Sequence, residues 1–144
     1  MGRLHRDMQR PREAEGQYQE ALQICRALAV SEPEAYSRYV AETLKDLAAL
    51  YRGTQRVKEA EAYCIEAEQI LTQSSSEDPE VHGDQMAKVL CERAELCAPL
   101  GKNIVEACAF ARRALEIAEA SEVRSVAREL VRRFCAHKGV KKIV

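Results

Sequence analysis

The sequence predicts an all-α protein built as a solenoid, in which antiparallel helix pairs stack and share one core. The first observation behind this prediction is an internal repeat: residues 2–15 and 48–61 are identical at seven of fourteen positions, at an offset of 46. The second is the spacing of apolar residues in threes and fours, without the alternation that half-buried strands show. A fixed period of roughly 20–50 residues is typical of repeat arrays, whose units cannot bury a core alone.

Length and composition exclude several classes of protein. The chain has 144 residues, of which 47% are hydrophobic, which is enough for one domain with a continuous core. The net charge of −1 offers no global attraction to nucleic acid or an anionic membrane. Apolar runs are too short to span a bilayer, and no charged-then-apolar leader stands at the N-terminus. We therefore expect a cytoplasmic protein.

The cysteines are expected to be reduced and structural. No two of them form a CxxC pair, and several occupy the apolar phase of a helix beside Ala and Leu. Free cysteine behaves as a small buried hydrophobe, and reduced cysteines fit a cytosolic compartment. A disulfide framework is the weaker interpretation, because folds stabilised by several disulfides are usually short and rich in loops. The six positions are Cys25, Cys64, Cys91, Cys97, Cys108 and Cys135.

The first complete helix is predicted from Pro11 to about residue 30. Ser31 with Glu34 three residues later matches a capping box for the next helix, and Pro33 suits a first helical turn. The small and apolar positions of the first helix recur in threes and fours: Ala14, Tyr18, Ala21, Leu22, Cys25, Leu28 and Ala29.

The next helix is predicted to end at Gly53, followed by an antiparallel mate over residues 57–71. Residues 72–78 are all polar and include three consecutive Ser, which predicts a loop. Pro79 then opens a further helix, which Pro99 and Gly101 end.

Residues 104–119 are predicted to form the antiparallel partner of the helix that begins at Pro79, and a last helix is predicted to begin near Ser121. With a truncated helix expected before Pro11, the sequence predicts seven helices. The last helix matches no earlier unit, as expected of a cap that ends a solenoid. Its inward positions are predicted to be Val123, Val126, Ala127, Leu130, Val131 and Phe134.

The second unit carries a motif that resembles the tetratricopeptide repeat: Leu44-x-x-Leu47-Ala48-x-x-Tyr51, then Arg56-Val57-x-Glu59-Ala60 and Cys64-x-x-Ala67. The period of 46 is longer than the ~34 residues of that family. It is similar to the extended repeats of kinesin light chains and long bacterial arrays. The resemblance implies a right-handed α-solenoid of about three repeats plus a capping helix. The implied boundaries are 1–30 for a partial repeat, 31–76, 77–120 for a degenerate repeat, 121–138 for the cap and 139–144 for a basic tail.

The resemblance also implies a binding surface. In this family the first helix of each repeat lines a concave groove, which holds an extended or helical peptide. Carried over, the groove positions are Arg3 and Arg6 in repeat one, Glu42, Lys45, Ala49 and Arg52 in repeat two, and Lys88, Cys91, Glu95 and Ala98 in repeat three. Cations outnumber carboxylates there, so an acidic segment or a C-terminal carboxylate is a plausible ligand. The alternative is that these are ordinary solvated helix residues.

Residues 121–144 are locally basic, with seven Lys or Arg against two Glu. They could attract an acidic partner, RNA or anionic lipid. No aromatic residues alternate with these cations in the way that base stacking requires. We therefore interpret these cations as the solvent-exposed face of a capping helix, where they interact favourably with the dipole at its C-terminus. We prefer this interpretation to nucleic-acid binding.

No catalytic or metal-binding pattern is present. The histidines His5, His82 and His137 are isolated, and neither His137 with Cys135 nor Cys91 with Cys97 has metal-ligand spacing. No glycine-rich phosphate motif occurs. The sequence thus predicts a non-enzymatic scaffold without cofactor, metal or small-molecule substrate. The rival interpretation is a structural module that self-associates through its truncated N-terminal edge or belongs to a longer array.

Overall fold

The computed structural model describes residues 11–73 and 79–135, and within those ranges the chain forms six helices and no strand. They are α1 (Pro11–Ser31), α2 (Pro33–Gly53), α3 (Val57–Gln73), α4 (Pro79–Cys97), α5 (Ile104–Ile117) and α6 (Ser121–Cys135). The all-α prediction is confirmed. The truncated helix expected before Pro11 and most of the expected loop lie outside the described residues. The chain divides into two compact units, residues 1–74 and 75–144.

In the first unit α2 packs against both α1 and α3. The two connections have one and three residues, which makes consecutive helices antiparallel neighbours. Small side chains let the backbones approach, while larger ones fill the space between them. The core consists of Leu22, Val40, Ala41, Leu44, Leu47, Ala48, Tyr51, Ala60, Cys64, Ala67 and Leu71.

The capping box predicted at Ser31 is wrong. Ser31 is the last residue of α1, and Glu32 alone separates it from α2 without a side-chain capping bond. The Glu32 amide donates to the Leu28 carbonyl at 2.9 Å, and its own carbonyl accepts from the Tyr36 amide at 3.1 Å. Because backbone amides and carbonyls hydrogen-bond to each other across this corner, the start of α2 needs no serine side chain as a cap. Pro33 does lie in the first turn of α2, as predicted.

The turns after α2 and α4 have the same backbone geometry 46 residues apart. Gln55 and Gly101 are both left-handed, with φ of 62° and 77°. The residue after each donates its amide over 2.8 Å to the carbonyl five residues back, Arg56 to Tyr51 in the first turn. Glycine adopts this conformation without steric cost, whereas glutamine is strained in it.

The one-residue slip in the repeat falls at Asn103, directly after the shared turn. Asn103 is the N-cap of α5, and its side chain accepts from the Glu106 amide at 3.0 Å. The helix in the first unit begins at Val57 without such a cap residue. The extra residue therefore supplies a cap that the earlier copy lacks.

In the second unit α5 packs against both α4 and α6, and α6 also contacts α4. A Cβ at Gly83 would lie 2.9 Å from the Ile117 carbonyl oxygen, so only glycine permits this approach of α4 to α5. Arg93, which replaces a core leucine of the motif, stacks its guanidinium 4.5 Å from the centre of the Phe110 ring. Arg93 is half-buried, so the replacement keeps contact with an aromatic ring at a position that the motif fills with leucine.

The last helix is held by polar contacts as well as its apolar face. Asp84 on α4 accepts from the Glu119 and Ala120 amides at 2.7 and 3.1 Å, just before α6 begins. Arg124 donates to the Leu115 and Ala118 carbonyls at the end of α5. Of the predicted inward residues, Val123, Ala127, Leu130 and Phe134 are buried. Val131 is half-buried, and Val126 is 54% exposed, so the prediction for Val126 is wrong.

The prediction that every cysteine is reduced is also wrong. Cys108 on α5 and Cys135 at the end of α6 form a disulfide, with their Cα atoms 5.1 Å apart. Spacing along one helix could not reveal this pair, because its members lie 27 residues apart on consecutive helices. The other four cysteines are free, and of these only Cys25 is partly exposed.

Candidate functional site

The outer face of α2 carries the four positions proposed for repeat two. Glu42, Lys45, Ala49 and Arg52 follow one another at spacings of three and four residues, which places them on one stripe of the helix. Glu42 is exposed and the other three are half-buried. Lys45 Nζ lies 2.9 Å from Asp46 Oδ1, so its charge already has a neighbour of opposite sign. We call these four positions the α2 stripe.

The second unit presents its counterpart positions less uniformly. Lys88 and Ala98 are exposed, but Cys91 is buried and cannot line an open surface. Burial, followed by the nearby charges of Glu92 and Glu95, raises the pKa of the Cys91 thiol to about 11. This leaves Cys91 protonated and unreactive at neutral pH.

Glu95 is engaged by the last helix, since its carboxylate accepts a hydrogen bond from Arg133. The predicted positions Arg3 and Arg6 lie outside the described residues. The structure therefore brings together the α2 stripe of the first unit, while in the second unit Lys88 is the exposed cation among the proposed positions.

A polar cluster joins α1, α2 and α3, the helices described for the first unit. The hydroxyl of Tyr51 donates to Glu15 Oε2 at 2.6 Å, and Gln19 Nε2 donates to the hydroxyls of Tyr51 and Tyr63. Arg56 bridges Glu15 at 3.0 Å and Glu59 at 2.7 Å. We call this cluster of Glu15, Gln19, Tyr51, Tyr63, Arg56 and Glu59 the repeat joint.

Part of the repeat joint lies at repeated positions. Arg56 and Glu59 correspond to Arg10 and Glu13 at the offset of 46, and Arg56 also pairs with Glu15 on the preceding helix. The guanidinium of Arg56 also lies 4.1 Å from the centre of the Tyr51 ring, which adds a cation–π contact. The sequence signal was the identity at an offset of 46, which indicated a repeat but not the contacts behind it.

The stability that the repeat joint contributes should depend on pH, because Glu15 titrates. The hydrogen bond from Tyr51 lowers the pKa of Glu15 below its ordinary value of 4.5, and Arg56 lowers it further, partly opposed by desolvation. Because the folded pKa is the lower one, this stabilisation is present above about pH 4.5 and is lost as the pH falls through the folded value. Burial, aided by the Glu15 carboxylate, raises the pKa of Tyr51, so its hydroxyl keeps the proton it donates.

We therefore expect Glu15→Gln to lower the melting temperature at pH 7 and to make little difference in strong acid. Thermal unfolding of both proteins between pH 7 and pH 3 tests this, and the two curves should converge toward the acid end. Glu20→Gln, at an exposed position of the same helix, is the control. Parallel curves for Glu15→Gln and the wild type across this range would contradict the assignment.

Cations in the described part of the basic C-terminal region contact other residues of the protein. Arg124 caps the end of α5, Arg132 pairs with Glu129 at 3.0 Å, and Arg133 pairs with Glu95. Arg128 is exposed. These contacts favour the cap-helix interpretation over a nucleic-acid surface for residues 121–135, and residues 136–144 lie outside the described range.

Neither a metal cluster nor a membrane span is found in residues 11–73 and 79–135. No three His, Cys, Asp or Glu side chains there gather in a way that could hold a metal ion. None of the helices in these ranges combines the length and the apolar character needed to cross a bilayer.

Comparison with protein families identifies the kind of repeat in the first unit. A family model described as a tetratricopeptide repeat matches residues 1–32 and 40–73. The second segment contains the α2 stripe, and together the two contain the whole repeat joint. Comparisons with curated proteins and with solved structures give no match.

Proposed function

The chain belongs to the tetratricopeptide repeat family over its two matched segments, and we propose that it is a scaffold that binds a peptide or helix of a partner protein on the α2 stripe. Repeats of this family generally mediate protein–protein interaction, and the fold is typically a non-enzymatic scaffold. The observation that supports the proposal is that two half-buried cations, Lys45 and Arg52, lie on one stripe of α2 within the second matched segment.

The proposed ligand is an acidic segment or a C-terminal carboxylate. Lysine and arginine form charge-assisted hydrogen bonds with carboxylates, and those of arginine can be bidentate. The helices behind the stripe are fixed by the repeat joint, so little ordering entropy is lost when a peptide binds. Lys88 and Glu95 are the corresponding proposal for the second unit, and Arg3 and Arg6 for the N-terminal segment.

Cytoplasmic residence stays a prediction. It depended partly on the expectation of reduced cysteines, and the Cys108–Cys135 disulfide weakens that part of the reasoning. Recovery of the protein and its partner from fractionated cells of the native host would test residence and partnership together.

The proposal is tested by reversing charge on the α2 stripe. A pull-down with mass spectrometry from the native host first identifies the partner. The double variant Lys45→Glu, Arg52→Glu should then lose partner capture with little change in melting temperature, because partly exposed charges contribute little to stability. Capture by the wild type should also weaken with added salt.

The control carries the same change of net charge at exposed positions elsewhere, Lys58→Glu with Arg113→Glu. It should retain capture. If capture survives the stripe variant but is lost when residues 138–144 are deleted, the basic tail is the binding element and the stripe proposal is wrong.

A further inference from the structure

Four residues of α4 lie on the side of that helix that contacts α6. They follow one another at spacings of four, three and four residues, which places them on one stripe. We call Asp84, Lys88, Cys91 and Glu95 the α4 stripe. Its first member, Asp84, accepts hydrogen bonds from backbone amides just before α6 begins. Its last member, Glu95, accepts one from Arg133 near the end of α6.

The middle of the α4 stripe lies under α6. The contacts at the two ends of the stripe join residues that are 36 and 38 positions apart, so α4 and α6 run side by side in the same direction. Cys91 lies between these contacts and is buried, while Lys88 stays exposed. The helix α6 therefore occupies two positions, Cys91 and Glu95, that the family resemblance assigns to ligand binding.

The two ends of α6 are attached in different ways. Several hydrogen bonds hold its start, since Asp84 accepts from two backbone amides and Arg124 donates to two carbonyls of α5. At its end, Arg133 pairs with Glu95, but these side chains are 49% and 28% exposed, and such pairs contribute little to stability. The covalent bond from Cys135 to α5 is the strong attachment at this end.

We propose that α6 is a cover over the α4 stripe, held closed by the Cys108–Cys135 disulfide and released when a dithiol reductant reduces that bond. Without the cross-link the second half of α6 opens from its end, because untethered helix ends open at low free energy. The contacts of Asp84 and Arg124 keep the start of α6 attached.

The reduced protein exchanges between a closed and an open form. Burial of Leu130 and Phe134 favours the closed form, in which α6 packs as described above. In the open form Cys91 and Glu95 are accessible. That a partner then binds at Glu95 rests on the function proposed above. The release of α6 does not rest on it, because its test measures Cys91 and uses no partner.

The reduction transfers two electrons and two protons from the dithiol to the protein. A thiolate of the dithiol attacks Sγ of Cys135, which is 8% exposed against 1% for Cys108. The bond between the two protein sulfurs breaks, and Cys108 leaves as a thiolate that takes up a proton. The second thiol of the reductant then attacks the mixed disulfide and releases Cys135 as a thiol, so the reductant becomes a disulfide.

Alkylation of the full chain tests this cover. A short pulse of N-ethylmaleimide, followed by digestion and mass spectrometry, gives a labelling rate for each free cysteine. The oxidised wild type is compared with Cys108→Ala, Cys135→Ala, in which the cross-link cannot form. We expect Cys91 to be labelled roughly tenfold faster or more in this double variant. Cys97, buried on another side of α4, should be labelled at the same slow rate in both proteins.

Two comparisons control the result. Wild type that is reduced with dithiothreitol and freed of it without oxygen should label Cys91 as fast as the double variant does, which excludes an effect of the missing sulfur atoms. Arg133→Ala with the disulfide intact should leave Cys91 protected, because the cross-link still holds α6. If Arg133→Ala alone exposes Cys91 as much as loss of the disulfide does, the ion pair holds the cover and the proposal is wrong.

Hydrogen exchange locates the opening. Dithiothreitol should remove protection from amides in the second half of α6, while the amides of Glu119 and Ala120 and those of α5 keep theirs. An even loss over α4, α5 and α6, or equally faster labelling of Cys91 and Cys97, would show that reduction destabilises the whole unit and would overturn the proposal. A disulfide that resists dithiothreitol in the native protein and is reduced only in denaturant would overturn it as well.

Discussion

Replacing Ala60 by leucine should lower the free energy of unfolding by about 1–3 kcal/mol, since it overpacks a filled core. Ala60 lies on α3, is 0% exposed and occupies the stripe that also carries Cys64 and Ala67. A methyl group fits where α3 packs on α2, and a leucine side chain would force the two helices apart. For a chain of this size such a loss corresponds to roughly 2–10 °C in melting temperature.

Ala49→Leu is the matched control, because it adds the same side chain to the neighbouring helix. Ala49 is half-buried on the α2 stripe, where a larger side chain can extend toward water. Its melting temperature should stay close to that of the wild type. If the two leucine variants melt together, either Ala60 is not tightly packed or the α2 stripe is not open, and the assignment of helix faces is wrong.

The helices themselves were predictable because their evidence is local and repeated. Leu44, Leu47 and Tyr51 recur on the turn of a helix, and all three are buried where the spacing placed them. Periodicity indicates which side of a helix is apolar, but it does not identify the element that covers that side. It was less reliable at the margin of a face, as Val126 shows by being exposed on α6.

Contacts between distant residues could not be predicted in the same way. Tyr51 and Glu15 are 36 residues apart, and Arg133 and Glu95 are 38 apart. Whether such pairs meet depends on how each helix is rotated about its axis, which spacing along one helix does not specify. The same reason hid the repeat joint, in which only Glu15, Arg56 and Glu59 lie at repeated positions.

For the candidate site, the sequence and its family resemblance specified a face but not its environment. Lys45 and Arg52 fall on one stripe of α2, as helical geometry requires. The engagement of Glu95 by Arg133 and the burial of Cys91 depend on α6 and on packing within the second unit. A terminal helix that matches no other repeat gives no internal copy from which such contacts could be inferred.

The Cys108–Cys135 disulfide should make the oxidised protein more stable than the reduced protein by roughly 3.5 kcal/mol, as the chain-entropy relation predicts for a loop of this length. The bond closes a segment of 27 residues that contains the connection from α5 to α6. Cross-linking restricts the unfolded chain far more than the folded one, in which Cys108 and Cys135 are already buried together. The expected measurement is a lower midpoint of chemical denaturation after addition of a reductant.

The double variant Cys108→Ala, Cys135→Ala removes the cross-link and should unfold at the same denaturant concentration with or without reductant. Cys25→Ala, at a partly exposed free cysteine, should keep the full response to reductant and so controls for cysteine loss alone. Peptide mapping without reductant should recover Cys108 and Cys135 in one linked fragment. Six titratable thiols in the denatured, unreduced protein would show that the bond does not form. The stability of α6 would then depend on its apolar face, on Asp84 and on the contacts of Arg124 and Arg133, because these interactions do not require oxidation.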